Sequence, residues 1–198
     1  MAEDRKARAQ DALNTIDKDY KKSFTIEYLK QEAVKIDHSS VTLCMVYNAT
    51  GDTIRFLYPH DWRGTAYGET APKPQMEIPN GAWHSFVHES GTGGSTGAVV
   101  YRIQYEPQKY CDVMQAWDTP ADLKDPNKVY TEIQELFHFM DEKGNWRTIL
   151  NTMEKSDFKT FSATGYGYKS VVTGHYGPTP IFEGIITLDG LQVPTSAS

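Results

Sequence analysis

Residue 41 divides the sequence into two textures, and that change limits the fold more than any other feature. The first 40 residues contain neither Pro nor Gly. Good helix formers dominate residues 2–36, so this stretch reads as helix. Leu13, Ile16 and Tyr20 give it one thin apolar stripe. Ser23 is placed to cap a second helix carrying Phe24, Ile26, Tyr28, Leu29, Ala33, Val34 and Ile36. From Val41 onward, short β-branched and aromatic runs alternate with turn clusters. Strands are expected at 41–47 and 53–58 around the turn Asn48–Asp52, and at 76–78 and 82–87 around Pro79-Asn-Gly81. Further strands are expected at 98–104, 110–117, 128–139, 167–173 and 181–188; the Glu/Gln content of 128–139 also fits helix. Gly91–Gly97 reads as a flexible loop and 118–127 as a polar loop. A short helix is expected at 145–155, capped by Asn145, with Trp146, Ile149, Leu150 and Met153 at helical spacing.

Strands of this length and spacing make a sandwich or barrel. The expected class is mainly β. A helical segment, 1–40, packs on one β-sandwich domain, 41–198, with one short helix inserted late. The 198 residues fit a single domain with a sizeable core.

Composition removes several function classes. The net charge is −6, and residues 1–40 are neutral, so all of the acidity falls on the β body. Such a body disfavours nucleic acid, which is held by Lys and Arg on phosphates. It equally disfavours anionic lipid bound by charge alone. A neutral or zwitterionic partner remains. No stretch approaches the ~20 apolar residues that span a bilayer, and no signal peptide is visible. Cytoplasmic synthesis is therefore expected, with action at membrane surfaces and release left open. Cys44 and Cys111 match no zinc or redox spacing and favour a reducing compartment, although a bridge between them stays open.

Catalytic patterns are weak. His84 and His88 lie four apart in a strand-like run without a zinc-protease Glu. His60-Asp61 lacks a convincing nucleophile. Gly91–Gly97 lacks the phosphate-loop lysine. No enzyme, metal or cofactor is expected. The aromatics are more telling, with twelve Tyr and four Trp. Tyr58, Trp62, Tyr67, Trp117, Trp146, Tyr166, Tyr168 and Tyr176 fall in expected loops or at strand ends. Ring faces attract quaternary ammonium groups, and such rings suit a membrane interface. Arg63, beside Trp62, has the planar fork for a phosphate.

Several motifs resemble a known set. Leu43–Asp52, His60-Asp-Trp-Arg-Gly64, Pro79-Asn-Gly-Ala-Trp83 and Thr96–Tyr101 resemble the plant jasmonate-induced proteins. The same order resembles the actinoporin cytolysins and their lectin relatives. It is carried by Asn48–Gly51, Asp61-Trp-Arg-Gly64, Thr96-Gly-Ala-Val99, Trp117-Asp-Thr-Pro120 and Gly165-Tyr-Gly-Tyr-Lys-Ser170. The resemblance covers about residues 41–190. It implies an actinoporin-like sandwich with a phosphocholine pocket lined by Val99, Asp118 and Pro120, and with Trp146 and Leu150 on the inserted helix. The chain departs from that family in three ways. The family's pocket serine is Asp118 here, placed to pair with choline. The aromatic run after the proline is replaced by Ala121-Asp-Leu-Lys-Asp-Pro126. The N-terminal segment is charged, and inserting it would bury several charges at roughly 2.5–3.5 kcal/mol each. The combination is also similar to a fungal actinoporin-like binder of sphingomyelin with cholesterol.

The expected function is peripheral binding of a sphingomyelin (phosphocholine) headgroup, with cholesterol and without efficient pore formation. The expected ligand-binding residues are Trp62, Arg63, Tyr67, Val99, Trp117, Asp118, Pro120 and Trp146. Arg63 or Lys124 would meet phosphate. A lectin of the same fold, using Trp62, Trp117 and Asp118 on a glycan, is the alternative, followed by a pore-forming cytolysin.

Overall fold

The computed structural model describes residues 2–36, 41–66, 76–122, 124–140, 145–177 and 179–194. Val41–Ala49 (β1) is buried at every position, as expected of a strand covered on both faces. It pairs antiparallel with Trp83–Glu89 (β5) and parallel with Ile181–Leu188 (β11). Thr65–Ala66 (β3) flanks β5, while Tyr168–His175 (β10) and Thr160–Gly165 (β9) extend the sheet beyond β11. The second sheet runs Glu77–Ile78 (β4), Ile54–Arg63 (β2), Gly94–Glu106 (β6), Lys109–Pro120 (β7) and Lys128–Glu135 (β8). The pairs other than β1–β11 are antiparallel.

Alternation along β6 and β7 sorts residues between two cores. Val99, Tyr101, Ile103, Cys111, Val113 and Trp117 point between the sheets, against Phe86, Val172 and Phe182. Ala98, Val100, Met114 and Ala116 point outward, where the helix Trp146–Lys155 (α3) covers them with Trp146, Ile149 and Met153. On the opposite side of the sandwich, Ala2–Asn14 (α1) seats Ala9, Ala12 and Leu13 on Tyr47, Ala49 and Ile185. Lys21–Val34 (α2) seats Leu29 on Leu43, Met45 and Val87.

Polar hooks fix α1. Arg5 and Arg8 both reach the Asp52 carboxylate, at 2.8 and 2.6 Å, and also bond the Thr50 and Gly51 carbonyls. Tyr47 donates its hydroxyl to the Ala12 carbonyl. One buried ion cluster fixes α2: Lys22 Nζ lies 2.8 Å from Glu183 Oε2, which also takes His175 Nε2 at 3.0 Å.

Several sequence expectations change. Ser23 lies inside α2, which begins at Lys21 after Asp19 and Tyr20 enter the left-handed region. Asn145 does not cap α3 with its side chain; it is left-handed, and its carbonyl accepts from Thr148 and Ile149. The glycine stretch 91–97 is mostly strand, because β6 begins at Gly94. β2 and β7 run on to Arg63 and Pro120, and β9 was not anticipated. Residues 128–135 are strand, as expected, but the strand ends at Glu135 rather than at 139.

Candidate functional site

The ends of three adjacent strands bring one guanidinium and its two supports together. Register places Arg63 of β2 opposite Thr96 of β6, and Thr96 opposite Asp118 of β7. All three face outward, on the side that carries α3. Arg63 Nε donates to Thr96 Oγ1 at 2.8 Å and Nη2 to Asp118 Oδ1 at 2.7 Å, while Thr96 Oγ1 donates to the same Asp118 oxygen at 2.8 Å. The Asp118 side chain is 5% exposed and that of Arg63 35%. A guanidinium gripped at two of its nitrogens has little freedom left. Its third nitrogen, Nη1, has no partner among the described residues and lies toward Gly93. The neighbouring turn needs glycine: Gly94 has φ +125, and a Cβ there would strike the Thr119 carbonyl.

A cavity of about 570 Å³ opens at this place. Arg63, Asp118 and Pro120 form one wall. Asp122 and Asp125 enter from the β7–β8 loop, Glu154 comes from α3, and Lys128 stands opposite Asp118 in the β7–β8 register. Glu154 belongs to the last turn of α3, and Lys128 Nζ donates to its carbonyl. A helix C-terminus carries partial negative charge and favours a cation nearby. The cavity therefore holds both signs of charge: the fixed Arg63 guanidinium and Lys128 together with Asp122, Asp125, Glu154 and a helix end. Behind the loop stands the half-exposed Tyr176, whose hydroxyl bonds Asp125 and Asn127 and whose ring already faces the Lys159 ammonium at 5.5 Å.

Of the expected site residues, Arg63, Asp118 and Pro120 meet in this cavity. Asp118, expected to meet choline, accepts from Arg63 and Thr96 through Oδ1 and lines the cavity. Val99 and Trp117 do not reach the surface. Val99 is fully buried between the sheets. Trp117 is 1% exposed, donates its indole N–H to Ser95 Oγ at 3.1 Å and packs on Phe86 and Phe182. The reason is strand parity: β7 continues past residue 117, so Trp117 and Asp118 point to opposite faces. Trp146 stacks on His60 at 4.0 Å and meets Trp62 edge-on at 5.8 Å. These rings pin α3 to the outer face rather than line the cavity. Tyr67 lies outside the described residues, as does Leu123 in the β7–β8 loop. Lys124 lies in that loop but does not line the cavity; Lys128 does. Thr96, Asp122, Asp125, Lys128 and Glu154 were not anticipated. The signal for Thr96 was its register with Arg63, which a sequence does not display.

A polar chain lies directly behind this row, inside the sandwich. His88 Nδ1 meets Ser95 Oγ at 2.8 Å and its Nε2 meets Asp61 Oδ1 at 3.0 Å. The residue types are those of a hydrolase triad, but Ser95 is wholly buried and its oxygen accepts from Trp117. The chain links β2, β5 and β6 inside the sandwich. His84 is similarly interior, bonded to the Tyr101 hydroxyl at 2.7 Å, and burial lowers its pKa to about 4. Among the described residues no group of three His, Cys, Asp or Glu is arranged to hold a metal. Cys44 and Cys111 are free and buried, and burial pushes the Cys111 thiol up to about 12.

The architecture defines a two-sheet sandwich with helices on both outer faces. A crystal structure of the lipid-binding protein Nakanori shares it, with a TM-score of 0.78 at 19% identity over 92% of this chain and 87% of that one. A family model described as Nakanori-like protein matches residues 1–189, and the chain belongs to that family. The barley (Hordeum vulgare) 23 kDa jasmonate-induced protein is 33% identical over 181 residues, which is 89% of this chain and 82% of the relative. A jasmonate-induced protein homolog from Atriplex canescens is 27% identical over 110 residues, covering 54% of this chain and 58% of the relative.

Proposed function

We propose that this protein is a non-enzymatic, peripheral lipid-binding protein that holds a zwitterionic phosphocholine headgroup, that of sphingomyelin in a membrane also containing cholesterol. The observation that carries this reading is Arg63, locked by Thr96 and Asp118 with Nη1 left open, in a cavity also lined by Asp122, Asp125 and Glu154. A phosphocholine group has the matching polarity. Its phosphate takes the guanidinium, and its quaternary ammonium takes the carboxylates. The partly buried Trp62 stands on the same outer face and supplies apolar contact for sterol. The lipid-binding relative of the same fold supports the class of ligand.

Pore formation is not part of the proposal. α1 is charged along its length, and the Arg5 and Arg8 hooks hold it to the 50–52 turn. The glycan reading through Trp62, Trp117 and Asp118 loses Trp117 to the core.

The test is pelleting with vesicles of sphingomyelin/cholesterol against phosphatidylcholine. We expect strong binding to the first and weak binding to the second. Equal binding to both removes sphingomyelin selectivity, and binding to neither removes the lipid reading. Arg63→Gln should cost at least about tenfold in vesicle affinity, the scale of one charge-assisted phosphate contact.

A further inference from the structure

The outward side of α2 carries a row of aromatic rings that nothing in the fold covers. Tyr20, Phe24 and Tyr28 follow at spacings of four, which places them on one side of the helix. They are 73%, 69% and 46% exposed. The side of α2 that faces the sheet is already filled by the buried Leu29, with Ile26, Ala33 and Ile36 beside it, so seating the helix does not account for the row. The backbone adds a second sign. Tyr20 holds a left-handed φ of 59 while its ring stands in solvent. Burial returns nothing for that conformation, and such strain gathers at functional places.

Strand register brings this helix to the end of the sandwich that holds the cavity. Arg63 ends β2; two residues on, Thr65 pairs with Glu89, and Glu89 pairs with Val41. Val41 belongs to the cluster around Leu29, and Ile181, the first residue of β11, packs against it. α2 therefore crosses its sheet at the strand ends that, on the other sheet, form the cavity of Arg63, Gly93, Asp118 and Pro120. Its charge also differs from the rest of the chain. The β body is acidic, whereas residues 21–35 contain four lysines and two glutamates. Lys22 is held by the buried Glu183 at 2.8 Å, which clamps the helix to the body and keeps the row fixed in place. Lys21, exposed beside the row, has no ion pair among the described residues.

We propose that α2 is a second membrane contact, lying in the lipid interface when the headgroup cavity is filled. The inference rests on the lipid-binding reading above. Tyr20 and Tyr28 have apolar bodies and polar tips that suit the headgroup level. Phe24 between them enters the acyl boundary, and Lys21 extends its ammonium to lipid phosphate. The row supplies apolar contact from a helix that stays docked, so binding needs no insertion of α1.

The experiment uses the full chain. Cys44 and Cys111 are buried, so a thiol-reactive environment-sensitive dye attaches to an introduced cysteine. Gln31→Cys carries it on the outward side of α2 and leaves the row intact. Gln104→Cys carries it at the opposite strand ends, where Tyr110 and Tyr166 are also exposed. With sphingomyelin/cholesterol vesicles containing brominated phosphatidylcholine, the dye at residue 31 should shift to the blue and be quenched, and the dye at residue 104 should do neither. Phe24→Ser with Tyr28→Ser should weaken pelleting at least about tenfold. Pelleting without quenching at residue 31, equal quenching at both positions, or undiminished pelleting of the double variant overturns the inference and leaves the lipid reading standing. A vesicle-free dimer that the double variant dissolves also overturns it, because the row would then be a self-association face. No pelleting by the wild type overturns both. Quenching at residue 31 with full binding by Arg63→Gln supports the helix contact and removes the cavity. Should the double variant fail to fold, the two labelled chains decide alone.

Discussion

Arg63 matters less for its charge than for how little it can move. Thr96 and Asp118 hold two of its nitrogens, so the third is pre-aimed. Thr96→Val removes one support while keeping shape. We expect weaker vesicle binding together with a modestly lower thermal midpoint, because Thr96 is fully buried and its hydroxyl bonds the buried Asp118 carboxylate. Gly97 is a contrasting case. A Cβ there would stand 2.7 Å from the Trp117 ring and 3.1 Å from His88 Nε2. Gly97→Ala should therefore cost about 1–3 kcal/mol, as overpacking does, measured by urea unfolding. Two of the glycines in the motifs that suggested a ligand, Gly64 and Gly97, make room for His88. Their pattern is legible in sequence; the buried ring that requires them is not.

His84 gives the pH dependence its sign. Its folded pKa, about 4, lies below the ordinary value of 6.5, so the neutral ring is what folding favours. Its contribution is complete above pH 6.5 and is lost as pH falls toward 4, roughly 3 kcal/mol in all. Burial alone raises the Glu183 carboxyl, but hydrogen bonds from His175 and Lys22 outweigh it and leave it below its usual range. Its contribution is present above the ordinary carboxylate pKa and lost below it, so it extends the loss into stronger acid. Urea midpoints at pH 7 and pH 4.5 should show the first drop, and His84→Asn should flatten it.

At the scale of elements, the N-terminal helices are attached by polar hooks as much as by apolar contact. Asp52→Ala removes the carboxylate that Arg5 and Arg8 share. Hydrogen exchange should then quicken in α1 while β1 and β6 stay protected, a local opening rather than global unfolding. Dye release from sphingomyelin vesicles should stay absent in both forms, because the charges on α1 oppose insertion whether or not it is docked. The sequence displayed these helices through an unbroken run of helix formers, and β1 and β11 through apolar, β-branched runs. β9 was invisible for a physical reason. It is an edge strand with alternating half-buried and exposed positions and little apolar content, and it is held by pairing with β10 rather than by its own propensity.

At the scale of the whole molecule, acidity and topology act together. The cavity sits on an acidic body, so adding phosphatidylserine to sphingomyelin/cholesterol vesicles should weaken pelleting, and moderate salt should relieve that loss by screening. A basic-patch binder would respond in the opposite direction. Sequence by itself determined the mainly β class, the N-terminal helical segment, the inserted helix and the acidic body, because these follow from local propensity, periodicity and charge. Only the tertiary structure decided which residues share a face. The division of Val99 and Trp117 from Thr96 and Asp118 turns on where β6 begins and β7 ends. A strand reverses facing with every residue, so one unrecognised extension sends a neighbour from the ligand side to the core.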